Sequence, residues 1–492
     1  MVIAQDTTRY GCDLYGKCRL PELLRELCHI DGIRWVRVLY SYPERITEEL
    51  LDVMAEEPHM VPYLDMPIQH CDEAILRRMN RPGNEAYLRN LIAHIRERVP
   101  DVTLRTTIIT GFPGETKEQF NRLGDFLHDM EFDRMGCFAY SEEEGTAAAE
   151  FEDQIDDEAA YYGTLLAISE MLASGTASFS DMYFFFGGMV PAILESGIKC
   201  NLSRGLTVFD DSDYTDLPAY RDNVRLRGEW NGANNGRLIG DLCIHGEYTS
   251  NPKIVEAVAQ HARETGARIQ IHLSETQTEH EECKGRHGLT PAAYMEKHGI
   301  FDSPTTAAHC VWLEDEDFDI LKRHGVTVAC CPASNLKLAS GYANVPKMLE
   351  SGINVALGTD GAASNNNLNI MQDMYLFGVV YKGYFRDPTI ITPAEVLHAA
   401  TRAGALSQGR DDSGLLAVGM RADLCVLNTD TPQFTPMTSA ACNVVYAAQG
   451  ADIRMTMVDG EILYRDGEFK TIDIEKVKAE VQRRTDSILS RL

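Results

Sequence analysis

The sequence predicts an α/β fold, with two successive segments built on parallel strands and a short antiparallel tail. Three observations support this prediction. Before residue 142, short apolar runs alternate with amphipathic helical patterns, and such alternation is typical of a parallel sheet or barrel. The same alternation resumes after residue 158. From Gly414 onward the pattern changes to short strands, which favours a small β-sandwich.

The first segment combines strand-like runs with two clear helices. Helical periodicity marks residues 88–99 and 117–130. The strand-like runs are 34–43, 61–70, 103–115 and 134–141. An acidic, small-residue stretch at 142–158 lacks the periodicity of a core element, so we place a boundary there and expect a first domain at 1–157.

The second segment repeats a helix-then-strand order. The helix and strand pairs are 253–266 with 267–275, 317–325 with 326–334, and 344–352 with 353–361. We expect a (β/α) barrel domain at 158–413, a β-sandwich remainder at 414–470 and a C-terminal helix at 471–492.

Composition narrows the partners. The 492 residues carry a formal net charge of −28, and an acidic surface repels phosphate backbones, so we expect no nucleic-acid partner. The longest apolar stretch, 182–194, is too short to cross a bilayer, so we expect no membrane partner. The thirteen cysteines lack the paired spacing of secreted domains, which predicts reduced thiols, Cys12 and Cys18 included, and a cytoplasmic location.

Three strands of the second segment end in a polar residue on one face. Side chains alternate along a strand, and we assign one set on each strand to the barrel lumen. These sets are Gln270 with His272, Ala307 with His309, and Ala356 and Gly358 with Asp360. Taken singly, a strand-end histidine is more often structural, and an aspartate in a turn is often a helix cap. Together the three residues predict a metal or proton-transfer site at the C-terminal edge of a barrel, where active sites of such folds lie.

Several motifs of this segment resemble the amidohydrolase superfamily, and within it the 5-methylthioadenosine/S-adenosylhomocysteine deaminases. The motifs are CIHGEYTS at 243–250, HLSET at 272–276, AAHC at 307–310, CPASNLKLASG at 331–341 and ALGTDGAASNN at 356–366. The resemblance runs from about Tyr161 to the end of the chain. It implies an amidohydrolase (β/α)8-type barrel that hydrolytically deaminates adenine nucleosides, with a small-molecule nucleoside as its substrate.

The resemblance also implies roles for individual residues. His272 and Asp360 would ligate one divalent ion per chain, zinc or iron, which lowers the pKa of a bound water. Asp360 would take the proton of that water, His309 would polarise the attacking oxygen, and Glu275 would carry a proton to the purine ring.

Substrate contacts follow from the same resemblance. His245 and Arg204 would hold the nucleoside, together with Glu275 and Asp360. Arginine near a strand end more often forms a surface ion pair, so the Arg204 assignment rests on the resemblance alone. The resemblance leaves open both the identity of the purine substrate and the formation of a homo-oligomer.

One feature of the family is missing. The amidohydrolase H-x-H motif of the first barrel strand does not occur anywhere in this sequence. We therefore expect a barrel that lacks its first strand, and two protein ligands for the metal in place of four. A non-catalytic nucleoside-binding protein stays open as an alternative.

The first segment has a resemblance of its own. Six motifs in order resemble the radical S-adenosylmethionine methylthiotransferase that modifies ribosomal protein S12, over residues 1–157. They are VIAQDTTRYG, RWVRVLYSYPERIT, YLDMPIQH, RRMNRPGN, RTTIITGFPGET and FAYSEEEGT. The resemblance implies an incomplete (β/α) barrel of radical SAM type. The C-x-x-x-C-x-x-C loop of that family is missing, so no iron–sulfur cluster is expected, and a methylthiotransferase remnant is a further alternative.

Overall fold

The computed structural model describes residues 1–4, 6–140 and 157–489. The chain divides into two compact units, Met1–Gln154 together with Arg484–Leu492, and Ile155–Arg483. The predicted boundary stretch at 142–158 lies outside the described residues except for its last two positions. Within the described parts of the chain, every helix is too short or too polar to cross a bilayer.

The first unit is a four-stranded parallel sheet in the order β1-β2-β3-β4. Its strands are β1 (Val36–Val38), β2 (Met60–Asp65), β3 (Thr103–Thr110) and β4 (Arg134–Ala139). Along β3, Leu104, Thr106 and Ile108 are buried and the residues between them are half-buried, so one face of this strand packs into the core. Fully burying one such apolar side chain contributes about 1.5–3 kcal/mol, which anchors β3 in the core.

Helices connect these strands. They are α1 (Cys12–Tyr15), α2 (Leu20–Cys28), α3 (Glu48–Glu56), α4 (Glu73–Arg78), α5 (Glu85–Arg98) and α6 (Lys117–Met130). Helix α6 begins at the predicted residue because Thr116 and Gln119 form a reciprocal capping box. The two helices predicted by periodicity are α5 and α6.

The expectation of plain thiols at Cys12 and Cys18 was wrong. The two residues form a disulfide that spans the ends of α1, with their Cα atoms 4.4 Å apart. Their spacing matched no zinc or cluster pattern, but a short helix flanked by two left-handed glycines brings the sulfur atoms together.

The second unit contains two parallel sheets, which confirms the α/β prediction. One sheet has the order β5-β6-β7 and the other β12-β11-β10-β9-β8. The strands are β5 (Ser178–Tyr183), β6 (Lys199–Arg204), β7 (Leu238–Gly240), β8 (Leu242–Ile244), β9 (Ile269–Leu273), β10 (Thr305–His309), β11 (Thr327–Cys330) and β12 (Val355–Leu357). Neighbouring strands pair in parallel, so their C-terminal ends meet at one edge.

Helices lie between most of these strands in the chain, and the last helix, α22, extends beyond Arg483, the last residue of this unit. They are α7 (Asp157–Ala173), α8 (Phe186–Ser196), α9 (Pro218–Arg225), α10 (Ala233–Gly236), α11 (Pro252–Thr265), α12 (Gln277–His287), α13 (Pro291–Lys297), α14 (Asp315–His324), α15 (Pro332–Lys337), α16 (Val345–Glu350), α17 (Ala362–Asn365), α18 (Ile370–Phe385), α19 (Pro393–His398), α20 (Gly404–Ser407), α21 (Ala440–Tyr446) and α22 (Ile474–Leu489).

The tail forms one antiparallel sheet in the order β13-β14-β15-β16. Its strands are β13 (Leu424–Leu427), β14 (Ile453–Val458), β15 (Glu461–Arg465) and β16 (Glu468–Phe469). Buried Lys199 at the start of β6 connects this sheet to the strands before it, with its Nζ 2.6 Å from Asp423 and 2.7 Å from Asp459. A buried charge needs such paired partners, because an unpaired one costs several kcal/mol.

Strand register corrects one part of the lumen assignment. On β9, Ile269, Ile271 and Leu273 are buried on the helix side, opposite His272, as predicted. On β10, however, His309 pairs with Leu273, and Ala308 pairs with His272. Ala307 pairs with Ile271, so Ala307 belongs to the helix-facing set and its assignment to the lumen was wrong. Strict alternation would also place His309 on the helix side, beside Leu273, yet the His309 ring lies against the His272 ring. Its side chain reaches the site for another reason, described below.

Candidate active site

Left-handed backbone at the strand ends shapes the site. Ser274 after β9, His309 and Cys310 at the end of β10, and Asp360 after β12 have φ values of 47°, 72°, 49° and 63°. Residues other than glycine adopt this region rarely, at a cost of order 1–3 kcal/mol each. At β10 the positive φ interrupts strand alternation, and the His309 ring lies parallel to the His272 ring, with 5.5 Å between centroids.

His272 presents one lone pair to the site. Its Nδ1 lies 2.8 Å from the backbone oxygen of His245, and a carbonyl can only accept, so Nδ1 carries the proton and Nε2 the lone pair. Burial and the nearby His309 lower the pKa of His272. A neutral imidazole with a fixed tautomer is the form that ligates a metal.

His309 and Glu275 face each other. The Nε2 of His309 lies 3.8 Å from Oε2 of Glu275, and the Nδ1 of His309 lies 2.9 Å from Oδ1 of Asn335. Because that oxygen accepts, the neutral ring carries its proton on Nδ1. The other carboxylate oxygen of Glu275 accepts a hydrogen bond from Ser340 at 3.0 Å. One segment, 335–340, thus supplies a hydrogen-bond partner to each of the two catalytic candidates, His309 and Glu275.

Asp360 is fixed by two donors. Its Oδ2 accepts from the Ser334 hydroxyl at 2.6 Å, and its Oδ1 accepts from the Gly361 amide at 2.5 Å. Its negative charge acts on His272, whose charged form it favours. The structure therefore brings His272, His309 and Glu275 together at the C-terminal ends of β9 and β10, and Asp360 at the end of β12 acts on His272 through its charge.

The two substrate candidates differ in their surroundings. The His245 ring lies 4.8 Å from that of His272, and burial, with both neighbouring histidines, lowers the pKa of His245 to about 4. Arg204 is buried at the end of β6, where it pairs with Asp222 at 3.0 Å and lies over the Phe184 ring. The Arg204 side chain is therefore engaged by Asp222 and Phe184, and its contact with a nucleoside stays a prediction.

Two more carboxyl groups lie near Asp360. Asp181 within β5 and buried Asp373 in α18 both have a pKa raised to about 6, first by burial and also by the charge of Asp360. Carboxyl groups held in such an unfavourable state are typical of functional sites. Sequence reasoning missed both residues, and it also missed Asn335, Ser334 and Ser340, although the motifs that carry them were recognised.

The donors fit a divalent ion in kind. His272 offers a neutral nitrogen and Asp360 a carboxylate, the ligand types that zinc prefers. In the described ranges, however, no three His, Cys, Asp or Glu side chains are grouped to hold a metal. Among the described residues, His272 and Asp360 would be the two ligands, and the remaining positions would fall to water or substrate.

This arrangement belongs to a known class of hydrolase. The family model described as "Amidohydrolase family" matches residues 114–463, which is most of the chain, and the chain belongs to this family. The "Radical SAM superfamily" model matches residues 18–127. Both matches confirm the resemblances seen in the motifs.

Two similar proteins carry the names of nucleoside deaminases. The chain is 41% identical over 331 residues to the 5-methylthioadenosine/S-adenosylhomocysteine deaminase of Dictyoglomus thermophilum, covering 67% of this chain and 77% of that protein. It is 39% identical over 322 residues to the 5'-deoxyadenosine deaminase of Methanothermobacter thermautotrophicus, covering 65% and 75%.

Solved structures share the fold. An adenosine deaminase from Xanthomonas campestris with bound zinc matches with a TM-score of 0.65 and 23% identity, over 75% of this chain and 90% of that one. Atrazine chlorohydrolase from Arthrobacter aurescens complexed with zinc matches with a TM-score of 0.61 and 22% identity, over 67% and 77%.

Proposed function

We propose that the second unit hydrolytically deaminates adenine nucleosides of the 5-methylthioadenosine, S-adenosylhomocysteine and 5'-deoxyadenosine type. One observation carries the proposal: His272, His309 and Glu275 converge at the ends of β9 and β10, with 5.5 Å between the imidazole centroids and 3.8 Å from His309 to Glu275. The two relatives described above carry deaminase names and are about 40% identical, which supports the same chemistry here.

The residues divide the work by their geometry. Glu275 lies within reach of His309 and is steadied by Ser340, so it delivers a proton to the ring nitrogen of the purine. The Nε2 lone pair of His309 accepts a hydrogen bond from an O–H of the attacking water and so polarises it. Asp360 accepts the proton of the attacking water, and neutral His245 accepts a hydrogen bond from the nucleoside.

His272 and Asp360 would hold a divalent cation, zinc or iron. When bound, the ion supplies a water of lowered pKa. Two protein ligands bind such an ion less tightly than the three of ordinary catalytic zinc sites. We therefore expect the purified protein to lose its metal on dialysis against a chelator and to regain it when zinc is added.

The test combines metal content with turnover. The full chain is loaded with zinc and mixed separately with adenosine, 5-methylthioadenosine and S-adenosylhomocysteine, and ammonia release and the adenine absorbance band are followed. We expect ammonia from at least one nucleoside, and less than stoichiometric metal in His272→Ala and Asp360→Ala. Zinc-loaded protein that leaves all three nucleosides intact would contradict the proposal.

A second function is favoured by one observation. Because the described residues offer no group of three metal ligands, the unit could bind nucleosides without turning them over. Calorimetry distinguishes the two functions: heat of nucleoside binding without ammonia release would select the non-catalytic one.

A further inference from the structure

Helix α12 contacts both loops that carry substrate-facing candidates. Its first residues follow the turn that bears Glu275, and its last residues approach the loop that bears His245. The contacts at both ends are charged side chains directed at the loops. These contacts give α12 a role beyond packing.

At the first end, buried Glu279 holds the turn after β9. One oxygen of its carboxylate accepts the Ser274 amide at 2.9 Å, and the other accepts the Glu275 amide at 2.7 Å. The Thr276 hydroxyl accepts the amide of Glu279 in return, at 3.1 Å. Ser274 has a φ of 47°, so the carboxylate stabilises a backbone conformation that would otherwise be unfavourable. That conformation is what points Glu275 at His309.

At the other end, buried Glu247 anchors the His245 loop. Its carboxylate receives two hydrogen bonds from Arg286, at 2.5 and 3.2 Å, and lies 2.8 Å from Nε2 of His287. Glu247 is 2% exposed, whereas the Arg286 side chain is 39% exposed, so the carboxylate is shielded from water and the two hydrogen bonds from the guanidinium fix its orientation. Because Glu247 is two residues from His245, the end of α12 fixes the loop that carries that histidine.

We propose that α12 positions the two sides of the nucleoside site independently: Glu279 positions Glu275, and Arg286 with His287 positions His245 through Glu247. The inference rests on the proposed function, since it assigns Glu275 to proton transfer and His245 to binding. It predicts that damage at the two ends of one helix separates into two kinetic effects.

The kinetic test compares Glu279→Gln and Glu247→Gln with Glu281→Gln, an exposed residue of the same helix. Losing charge-assisted hydrogen bonds should lower kcat on the order of ten- to a hundredfold in Glu279→Gln, with KM changed less. In Glu247→Gln we expect KM to rise by a similar factor, with kcat changed less. Equal effects on both constants in both variants, or kinetics like those of Glu281→Gln, would overturn the proposal.

Hydrogen exchange tests the positioning without catalysis. Glu279→Gln should speed amide exchange at Ser274 and Glu275 at least tenfold and leave the 245–249 loop unchanged, whereas Glu247→Gln should do the reverse. If the parent protein deaminates nothing, the proposed function fails, but this exchange pattern still decides whether α12 holds the two loops. Uniform acceleration in both variants would reduce the contacts to general stability and overturn the inference.

Discussion

The carboxyl groups near Asp360 in the second unit differ from two buried carboxyl groups of the first unit. In the first unit, Asp65 pairs with Arg105 at 2.7 Å, and Glu115 pairs with His70 at 3.1 Å. In the second, burial raises the pKa of Asp181 and of Asp373 to about 6, and the charge of Asp360 adds to both shifts. Paired carboxylates hold a fold together, whereas crowded ones cost stability and persist where chemistry needs them.

The histidines show the same difference. In the first unit, His70 uses both ring nitrogens, since Nδ1 accepts the Asp72 amide at 2.9 Å and Nε2 contacts Glu115. In the second, the Nδ1 proton of His272 is engaged by a carbonyl, which leaves its Nε2 lone pair directed away from that bond. The comparison indicates a structural role for His70 and a reactive one for His272.

The sharpest test of this difference is Glu275→Gln. General acid catalysis contributes about 10²–10⁴-fold, so we expect kcat for deamination to fall by that factor while the fold is retained. Steady-state ammonia release measures it, and circular dichroism checks the fold. Glu281→Gln is the matched control, and activity within tenfold of the parent in Glu275→Gln would remove Glu275 from the mechanism.

The reverse experiment is Glu115→Ala in the first unit. It leaves buried His70 without its carboxylate and removes the acceptor of the Gly111 amide, which lies 2.5 Å from Oε2 of Glu115. Because two buried donors lose a charged acceptor, we expect the free energy of unfolding to fall by about 2–6 kcal/mol, measured by urea denaturation. Exposed Glu118→Ala should change it far less. Deamination by folded Glu115→Ala should stay within twofold, and a large loss would blur the division between the units.

The crowded acids predict an unusual pH dependence. Because the folded pKa of Asp373 is about 6 and its ordinary value is 3.8, the folded state binds more protons between these values, so stability falls as pH rises from about 4 to 6. Asp373→Asn removes this cost. It also gives up one of the two hydrogen bonds that the carboxylate accepts, from the Ala333 amide at 3.1 Å and from Nδ2 of Asn365 at 3.0 Å, so the gain is smaller than the full pKa shift implies.

At pH 7 we therefore expect Asp373→Asn to raise the free energy of unfolding by about 1–3 kcal/mol, and the difference should vanish near pH 4. Urea titrations across that range provide the measurement. Exposed Asp319→Asn should leave the parent's pH dependence intact, and a destabilised Asp373→Asn at pH 7 would show that this carboxylate is favourably held.

The smallest expected effect belongs to Ser340→Ala. It removes one hydrogen bond to Glu275, worth about 0.5–1.5 kcal/mol, so kcat should fall about three- to tenfold. Ser351→Ala should change neither kcat nor KM, because half-buried Ser351 follows α16 and forms none of the hydrogen bonds described for the site. A Ser340→Ala variant equal to the parent would mean that Glu275 is oriented by its backbone alone.

Much of the architecture could be predicted from the sequence, because the spacing of apolar residues reflects which side chains are buried. Alternation on β9 and helical periodicity over residues 117–130 predicted β9 and α6 correctly. The alternation rule did not hold at β10, because a left-handed φ at His309 is a tertiary constraint that no local pattern records. The roles assigned to the site residues stay predictions, although the residues do converge.

The supporting contacts were less accessible. Asn335, Ser340 and Glu279 are ordinary polar residues whose sequence neighbours give no sign of what they hold, and their partners are reached only by folding. Asp181 and Asp373 were missed for the same reason, since burial next to a third carboxyl group is not a property of either residue's neighbourhood in the chain.

The left-handed residues at the strand ends have a consequence for engineering. Glycine at Ser274 or Asp360 would relax the backbone, and a library selected only for heat resistance would enrich such changes. Such variants would then have a higher melting temperature but a less ordered active site. Any directed-evolution campaign on this chain should score turnover and robustness together.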